Sequence, residues 1–222
     1  MNHLPDFNLS SLSHLESEFA KTLKDNFHHF VNLQKIMKHH GGVKNSEGSY
    51  MMNGQTLDYH FGMYDKQEKL YNMSKNKEHI IEIGVNAAHS LFLMCLANSK
   101  ADFYLFDICS NAYVNDCVLY LQHNFPNLMH LYIGDSKSVY PLIVNKLASN
   151  NIKFDLFHID GLHTEEYVDL EIKASRKISG DDAVFVIDDI IDTGVQNAVN
   201  KNNMFQIYRA TGDWPNAFYV FL

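Results

Sequence analysis

The spacing of apolar residues changes at His79. Before it, Leu15, Phe19, Leu23, Phe27 and Val31 recur every fourth position. Ser13 and Glu16 precede them at the spacing of a capping box, and Gly41-Gly42 follows. This pattern predicts one long amphipathic helix. Val43 to Thr56 is polar and contains glycine, whereas Asp65 to Ser74 predicts a short helix that buries Leu70 and Met73. Residues 1–78 are therefore expected to form a helical cap beside the main body.

From His79 onward short apolar runs alternate with helical spacing. The predicted strands are His79–Gly84, Asp102–Asp107, Met129–Gly134, Phe154–Asp160 and Ala183–Asp188. Between them Ala87–Ala97, Tyr113–Asn124, Val139–Leu147 and Glu165–Ile178 carry apolar residues at helical intervals. Strand and helix in strict alternation predict a parallel, doubly wound α/β sheet of Rossmann-like type. A further helix near Thr193–Asn200 leads to two strands, Met204–Ala210 and Asn216–Leu222. Only Thr211-Gly212-Asp213-Trp214-Pro215 joins them, and so short a link permits only an antiparallel hairpin. Residues 79–222 form one expected structural unit with the cap.

Composition narrows the partners. The 222 residues are 46% hydrophobic, enough for one core that buries about three quarters of the unfolded surface. A formal charge of −8 disfavours nucleic acid, whose phosphates are bound through clustered Lys and Arg. Cys95, Cys109 and Cys117 cannot all pair, which favours a reducing compartment. No run reaches the ~18 apolar residues of a membrane span, and Met1 to Ser13 lacks the charged and apolar regions of a leader. The expectation is a cytoplasmic protein without membrane or nucleic-acid partners, acting on a small molecule. Oligomeric state is left open, a homo-oligomer included.

In such sheets ligands bind beyond the carboxyl ends of the strands, where strand order reverses. The first predicted strand runs into Glu82-Ile83-Gly84-Val85-Asn86-Ala87-Ala88-His89-Ser90, a tight turn whose small residues admit a ligand and whose helix start favours a carboxylate. Asp107 closes the second strand and can accept hydrogen bonds from two ribose hydroxyls. Asp135 and Ser136 follow the third, within reach of an adenine amino group. Each feature also has a plain structural reading, since Gly after a strand is commonly a turn and Asp a helix cap. The turn lacks G-x-G-x-x-G, which weakens a nicotinamide or flavin site.

These residues resemble the class I S-adenosylmethionine-dependent methyltransferases, and among them the small-molecule group with E-I-G-x-x-x-G-x-S near the first strand. The likeness spans His79 to Leu222. It is strongest at Glu82–Ser90, Phe106–Ile108, Gly134-Asp135-Ser136, Phe154–Tyr167 and Val186–Ile190. Ala88 departs from it, standing where many relatives keep Gly. The resemblance implies a cofactor-binding set of Glu82, Gly84, Asn86, Ser90, Asp107, Ile108, Asp135, Ser136 and Asp160. Gly84, Asn86 and Ser90 then face the methionine end, Asp107 the ribose, and Asp135 with Ser136 the adenine. The cap has no counterpart in this likeness.

The fourth and fifth strands end in Asp160-Gly161-Leu162-His163 and Asp188-Asp189. Neighbouring strand ends lie about 5 Å apart, so Asp160 can meet at least one of the paired aspartates. Adjacent strand residues point to opposite faces, so Asp188 and Asp189 share a site only if the strand has already turned there. Clustered carboxylates hold a hard cation such as Mg²⁺, or one of them takes a raised pKa and acts as acid or base. A cation bound to an acceptor hydroxyl would orient it and ease its deprotonation, and some relatives treat vicinal diols in this way. The alternative leaves Asp160 on the cofactor side and Asp189 as a helix cap, without metal.

His163 is a candidate general base beside Asp160, or else a residue that hydrogen-bonds its own loop. His28-His29 and His39-His40 are expected at the surface rather than on a metal. The leading expectation is O-methylation of a small hydroxylated molecule, with Asp160, Asp188 and Asp189 on a divalent cation. Rival readings are metal-free transfer to oxygen or nitrogen, an NAD-dependent oxidoreductase or epimerase, and a silent adenosyl-binding module. The groove that selects the acceptor is expected from the cap near Tyr50 to Met63 and from the loop after Asp189.

Overall fold

The computed structural model describes residues 15–42, 49–52 and 57–221. Two helices, α1 (Glu18–Asp25) and α2 (Phe27–His39), stand where one was expected. A fourth-residue repeat drifts about 40° around a helix at each step, so five such positions cannot all face one core. The chain resolves this by breaking at Asn26 (φ −109°, ψ 10°), whose side-chain amide donates to the Thr22 carbonyl at 2.9 Å. Past the break the buried stripe becomes Phe27, Phe30, Leu33 and Met37, leaving Val31 half-buried. The cap of α1 is Ser17, which accepts from Ala20 N at 3.2 Å; Ser13 lies outside the described residues. Helix α3 (Tyr64–Ser74) matches expectation within one residue and buries Leu70, while Met73 is only partly covered.

Seven strands form one sheet in the order β3-β2-β1-β4-β5-β7-β6: β1 (His79–Ile83), β2 (Asp102–Asp107), β3 (Met129–Ile133), β4 (Phe154–Ile159), β5 (Ser179–Ile187), β6 (Phe205–Arg209) and β7 (Ala217–Val220). The first five are mutually parallel, and β7 pairs antiparallel with both β5 and β6. Helices α4 (His89–Ala97), α5 (Tyr113–Asn124), α6 (Ser136–Ser149), α7 (Glu165–Arg176) and α8 (Thr193–Lys201) connect them. Strand β5 begins four residues before Ala183, because Ser179 to Asp182 are polar and partly exposed and carry no apolar signal. The helix α6 likewise starts early, at a polar turn capped by Asp135.

The core lies on both faces of the sheet. One face carries α1, α2 and α3 with α4 and α5, through Phe19, Phe30, Met37, Leu70, Phe92 and Phe103. The other carries α6, α7 and α8, through Tyr140, Val144, Ile172, Phe157 and Phe185. Helices α1, α2 and α3 join the helical layer of the first face, α3 packing on α4 and α2 on α4 and α5. His29, expected at the surface, is buried in this layer and holds the Tyr120 hydroxyl at 2.8 Å. Cys95, Cys109 and Cys117 are free thiols. Among the described residues no helix is long and apolar enough to cross a membrane.

Candidate active site

Registers align the strand tips. Ile83 stands opposite Phe106 and Ile159, and Ile159 opposite Ile187. Backbone bonds continue this ladder beyond the strands: Gly84 N to Phe106 O at 2.8 Å, Asp160 N to Ile83 O at 2.9 Å, Asp188 N to Ile159 O at 3.0 Å and Gly134 N to Asp107 O at 2.9 Å. Strand order reverses between β1 and β4, so these tips share one rim at the switch point. A cavity of about 650 Å³ opens there, within the usual range of small-molecule sites.

One half of the cavity is lined by Gly84, Asn86, Asp107, Ile108, Asp135 and Ser136. Gly84 has φ +86°, and a Cβ at this position would collide with the Asp160 carbonyl oxygen. Only glycine allows the turn after β1 to pass so close to the tip of β4. Asp107 fixes that turn: Oδ2 accepts from Val85 N at 2.8 Å and Asn86 N at 3.0 Å, while Oδ1 accepts from Cys109 N at 2.6 Å. Oδ1 retains a further lone pair, while both lone pairs of Oδ2 are engaged by the turn. Asn86 accepts from the Tyr113 hydroxyl at 2.7 Å. Asp135 caps α6 through Lys137 N at 3.0 Å and accepts from Tyr167 at 3.2 Å. Ser136 donates to Glu171 Oε1 at 2.6 Å.

Glu82 and Ser90 stand behind this wall. Both are buried and bonded to each other, and Glu82 also meets His158 Nδ1 at 3.0 Å. Burial works against a charged His158 ring, but the Glu82 hydrogen bond and charge, with Asp160 and Asp188, outweigh it and raise its pKa. The Ser90 hydroxyl is therefore turned to the strand rather than to the cavity.

The other half gathers the acids. Asp160, His163, Asp188 and Asp189 all line it. Strand β5 ends at Ile187 and Asp189 takes a left-handed φ of +46°, so the chain has turned there, yet Asp188 and Asp189 fall in two different groups of candidate ligand atoms that share Asp160. His163 stands between two carboxylates, Nδ1 at 2.8 Å from Asp189 and Nε2 at 3.4 Å from Asp160. Burial disfavours its charge, yet the bonds and charges of Asp160 and Asp189 prevail and raise it to about 11. Burial and the neighbouring Asp188 push Asp160 up to about 6. Asp189 is disfavoured by burial but held below its ordinary value by His163. Candidate ligand atoms of Asp160, His163 and Asp189 lie within 4.8 Å of one another, as do those of His158, Asp160 and Asp188.

Several lining residues carried no motif. Lys66 of α3 is almost fully buried and pairs with Asp188, its Nζ also 4.4 Å from the centre of the Tyr50 ring. Its sequence signal is a lysine four residues before Leu70, on the buried side of α3. Tyr50, Met52 and Met63 fall inside the expected Tyr50–Met63 stretch. Beyond Asp189 itself, the expected following loop does not line the cavity; the hairpin turn reaches it instead through Trp214.

The family described as "Methyltransferase domain" matches residues 81–190. No curated protein gives a significant sequence match. Three solved structures share the fold. One is the O-methyltransferase TomG from Streptomyces achromogenes, in complex with S-adenosylmethionine (SAM): TM-score 0.59, 13% identity, 95% of this chain and 91% of that one. Another is CalS11, a TDP-rhamnose 3'-O-methyltransferase of calicheamicin biosynthesis: 0.57, 16%, 96% and 98%. The third is a Bacillus cereus O-methyltransferase bound to S-adenosylhomocysteine (SAH): 0.60, 12%, 96% and 95%. The chain carries a methyltransferase domain on the fold expected from its sequence.

Proposed function

We propose that this methyltransferase passes the methyl group of SAM to a hydroxyl of a small molecule, with a divalent cation at the acid cluster. The observation that carries the reading is the single cavity joining the Gly84, Asp107 and Asp135 rim to Asp160, Asp188 and Asp189. The structural neighbours named above are themselves O-methyltransferases, which supports oxygen as the receiving atom.

The chain's own residues do the following. Asp107 and the turn it holds bind the ribose and the methionine part, with Gly84 and Asn86 against the latter. Asp135 and Ser136 border the adenine, kept in place by Tyr167 and Glu171. SAM, when bound, supplies an electrophilic methyl group that needs a nucleophile in line with its sulfur–carbon bond. Asp160 is common to two candidate donor groups, with Asp189 and His163 or with Asp188 and His158, and the carboxylate oxygens in them suit a hard cation such as Mg²⁺. Such a cation would supply positive charge that orients an acceptor hydroxyl and acidifies it. His163 keeps Asp160 and Asp189 facing the acceptor half, and Lys66 does the same for Asp188.

A second reading rests on those same contacts. Lys66 and His163 already bring positive charge to three carboxylates, which permits transfer without metal. Mn²⁺ titration followed by electron paramagnetic resonance separates the two. The cation reading expects one site that is lost in Asp160→Ala and Asp189→Ala, while equilibrium dialysis of labelled SAM still gives one equivalent bound. No Mn²⁺ binding beside intact SAM binding leaves the metal-free reading; absence of SAM binding removes both.

A further inference from the structure

We propose that Trp214, at the tip of the β6–β7 hairpin, is a specificity-determining residue, a stacking wall for an acceptor with a flat aromatic ring. The inference rests on the methyl-transfer reading and adds the class of molecule that enters the acceptor half.

Trp214 lines the cavity and remains 44% exposed. It is the only tryptophan in the chain. Leaving a large indole half in water forgoes burial that the core offers elsewhere, and such a residue at a cavity mouth is available to a ligand. Its backbone has φ +46°, a left-handed conformation that is costly for a bulky side chain and persists only where the surroundings enforce it.

The surroundings do enforce it. Asp213 N donates to Gly62 O at 3.0 Å, and Asp213 Oδ2 pairs with His60 Nε2 at 2.8 Å. Thr211 donates to Asp65 from its backbone N at 2.6 Å and its hydroxyl at 2.8 Å. Gly212 (φ +93°) packs on Gly62, and a Cβ on Gly212 would strike the Gly62 carbonyl oxygen. The His60 ring lies 5.6 Å from the indole, centre to centre. The hairpin tip is therefore latched to the segment leading into α3, and the latch fixes the indole at the rim.

The chemistry around Trp214 selects a ring with an apolar face. Met52 and Met63 line the same cavity, and thioethers pack well on aromatic rings. His60, whose ring lies beside the indole, is engaged with Asp213, so this pair offers few of the hydrogen bonds a sugar would need. Lys66 and the acid cluster supply the polar end for a ring hydroxyl. An aromatic acceptor packed on the indole would sit in the same cavity that Asp160, Asp188 and Asp189 line, where its ring hydroxyls can meet the acids.

Because the chain has a single tryptophan, its fluorescence reads this wall directly. With SAH saturating, titration of catechol as the probe is expected to change the emission saturably. Calorimetry on the same samples should show catechol binding about tenfold weaker in Trp214→Ala and within about threefold of the parent in Trp214→Phe. SAH affinity should be equal in all three. Equal catechol affinity in Trp214→Ala overturns the inference, as does no saturable catechol binding to a protein that binds SAH. Loss of SAH affinity in Trp214→Ala also overturns it, since the residue would then be merely structural. If the parent binds no SAH, it is the methyl-transfer reading that has failed.

Discussion

Lys66, from α3, reaches across to Asp188 at the tip of β5, its Nζ 3.0 and 3.3 Å from the two carboxylate oxygens. Both side chains are 4% exposed. The cap thus contributes a charge to the rim of the sheet, and the two parts are joined by an ion pair that water scarcely reaches. Removing one partner of such a pair strands the other charge in a poorly solvated place. Lys66→Met should lower unfolding free energy by about 3–5 kcal/mol, and Asp188→Asn added to it should recover part of the loss. Denaturant unfolding of the single and double variants checks this; a neutral single variant would mean that water already screens the pair.

Asp107 accepts three backbone hydrogen bonds and lines the cavity. Asp107→Ala should weaken SAH binding by roughly 1.5–3 kcal/mol, through lost charge-assisted bonds to ribose and a loosened turn. Calorimetric titration measures it, and an unchanged affinity removes Asp107 from the ribose site.

Gly84→Ala combines a left-handed backbone with a collision against the Asp160 carbonyl. The turn must move away from the tip of β4, at a cost on the order of 1–3 kcal/mol. We expect a lower melting temperature and weaker SAH binding together; a variant that keeps both would show that the turn has room to yield.

Asp169 accepts from Lys173 Nζ within α7 and ties α7 to α8 through Lys201 Nζ and Asn202 Nδ2, each at 2.8 Å. Burial opposes its charge, but these three partners outweigh burial and bring its pKa down to about 2. A carboxylate lowered on folding adds stability that is present above its unfolded value, near 4, and is lost as pH falls through about 2. Asp169→Asn should therefore cost about 1 kcal/mol at neutral pH, with the gap from the parent closing in acid. A pH-independent gap in urea unfolding would contradict this.

The sheet was legible because its signals are local and repeated. Asp102–Asp107 and Tyr113–Asn124 emerge with the bounds their periodicity predicts, and the short Thr211–Pro215 link forces the antiparallel hairpin that β6 and β7 make. The acids at the strand tips were legible for a related reason, since strand ends in such a fold can point to only one rim. What stayed hidden depends on contacts between distant segments. The break at Asn26 follows from the drift of a four-residue repeat around the helix, a matter of which face meets α4 and α5. Lys66 and Trp214 reach the cavity from segments whose docking no spacing encodes. Ser90 has the sequence position of a ligand contact but the geometry of a bond to Glu82, because its helix face turns inward to β1.

Methyl transfer requires a cavity built for a sulfonium nucleoside and not for a dinucleotide. The direct measurement is calorimetric titration of the unmodified protein with SAH and, separately, with NAD. Saturable binding of one equivalent of SAH, with no heat from NAD over the same range, is the predicted result. Preference for NAD, or no binding of SAH, would contradict it.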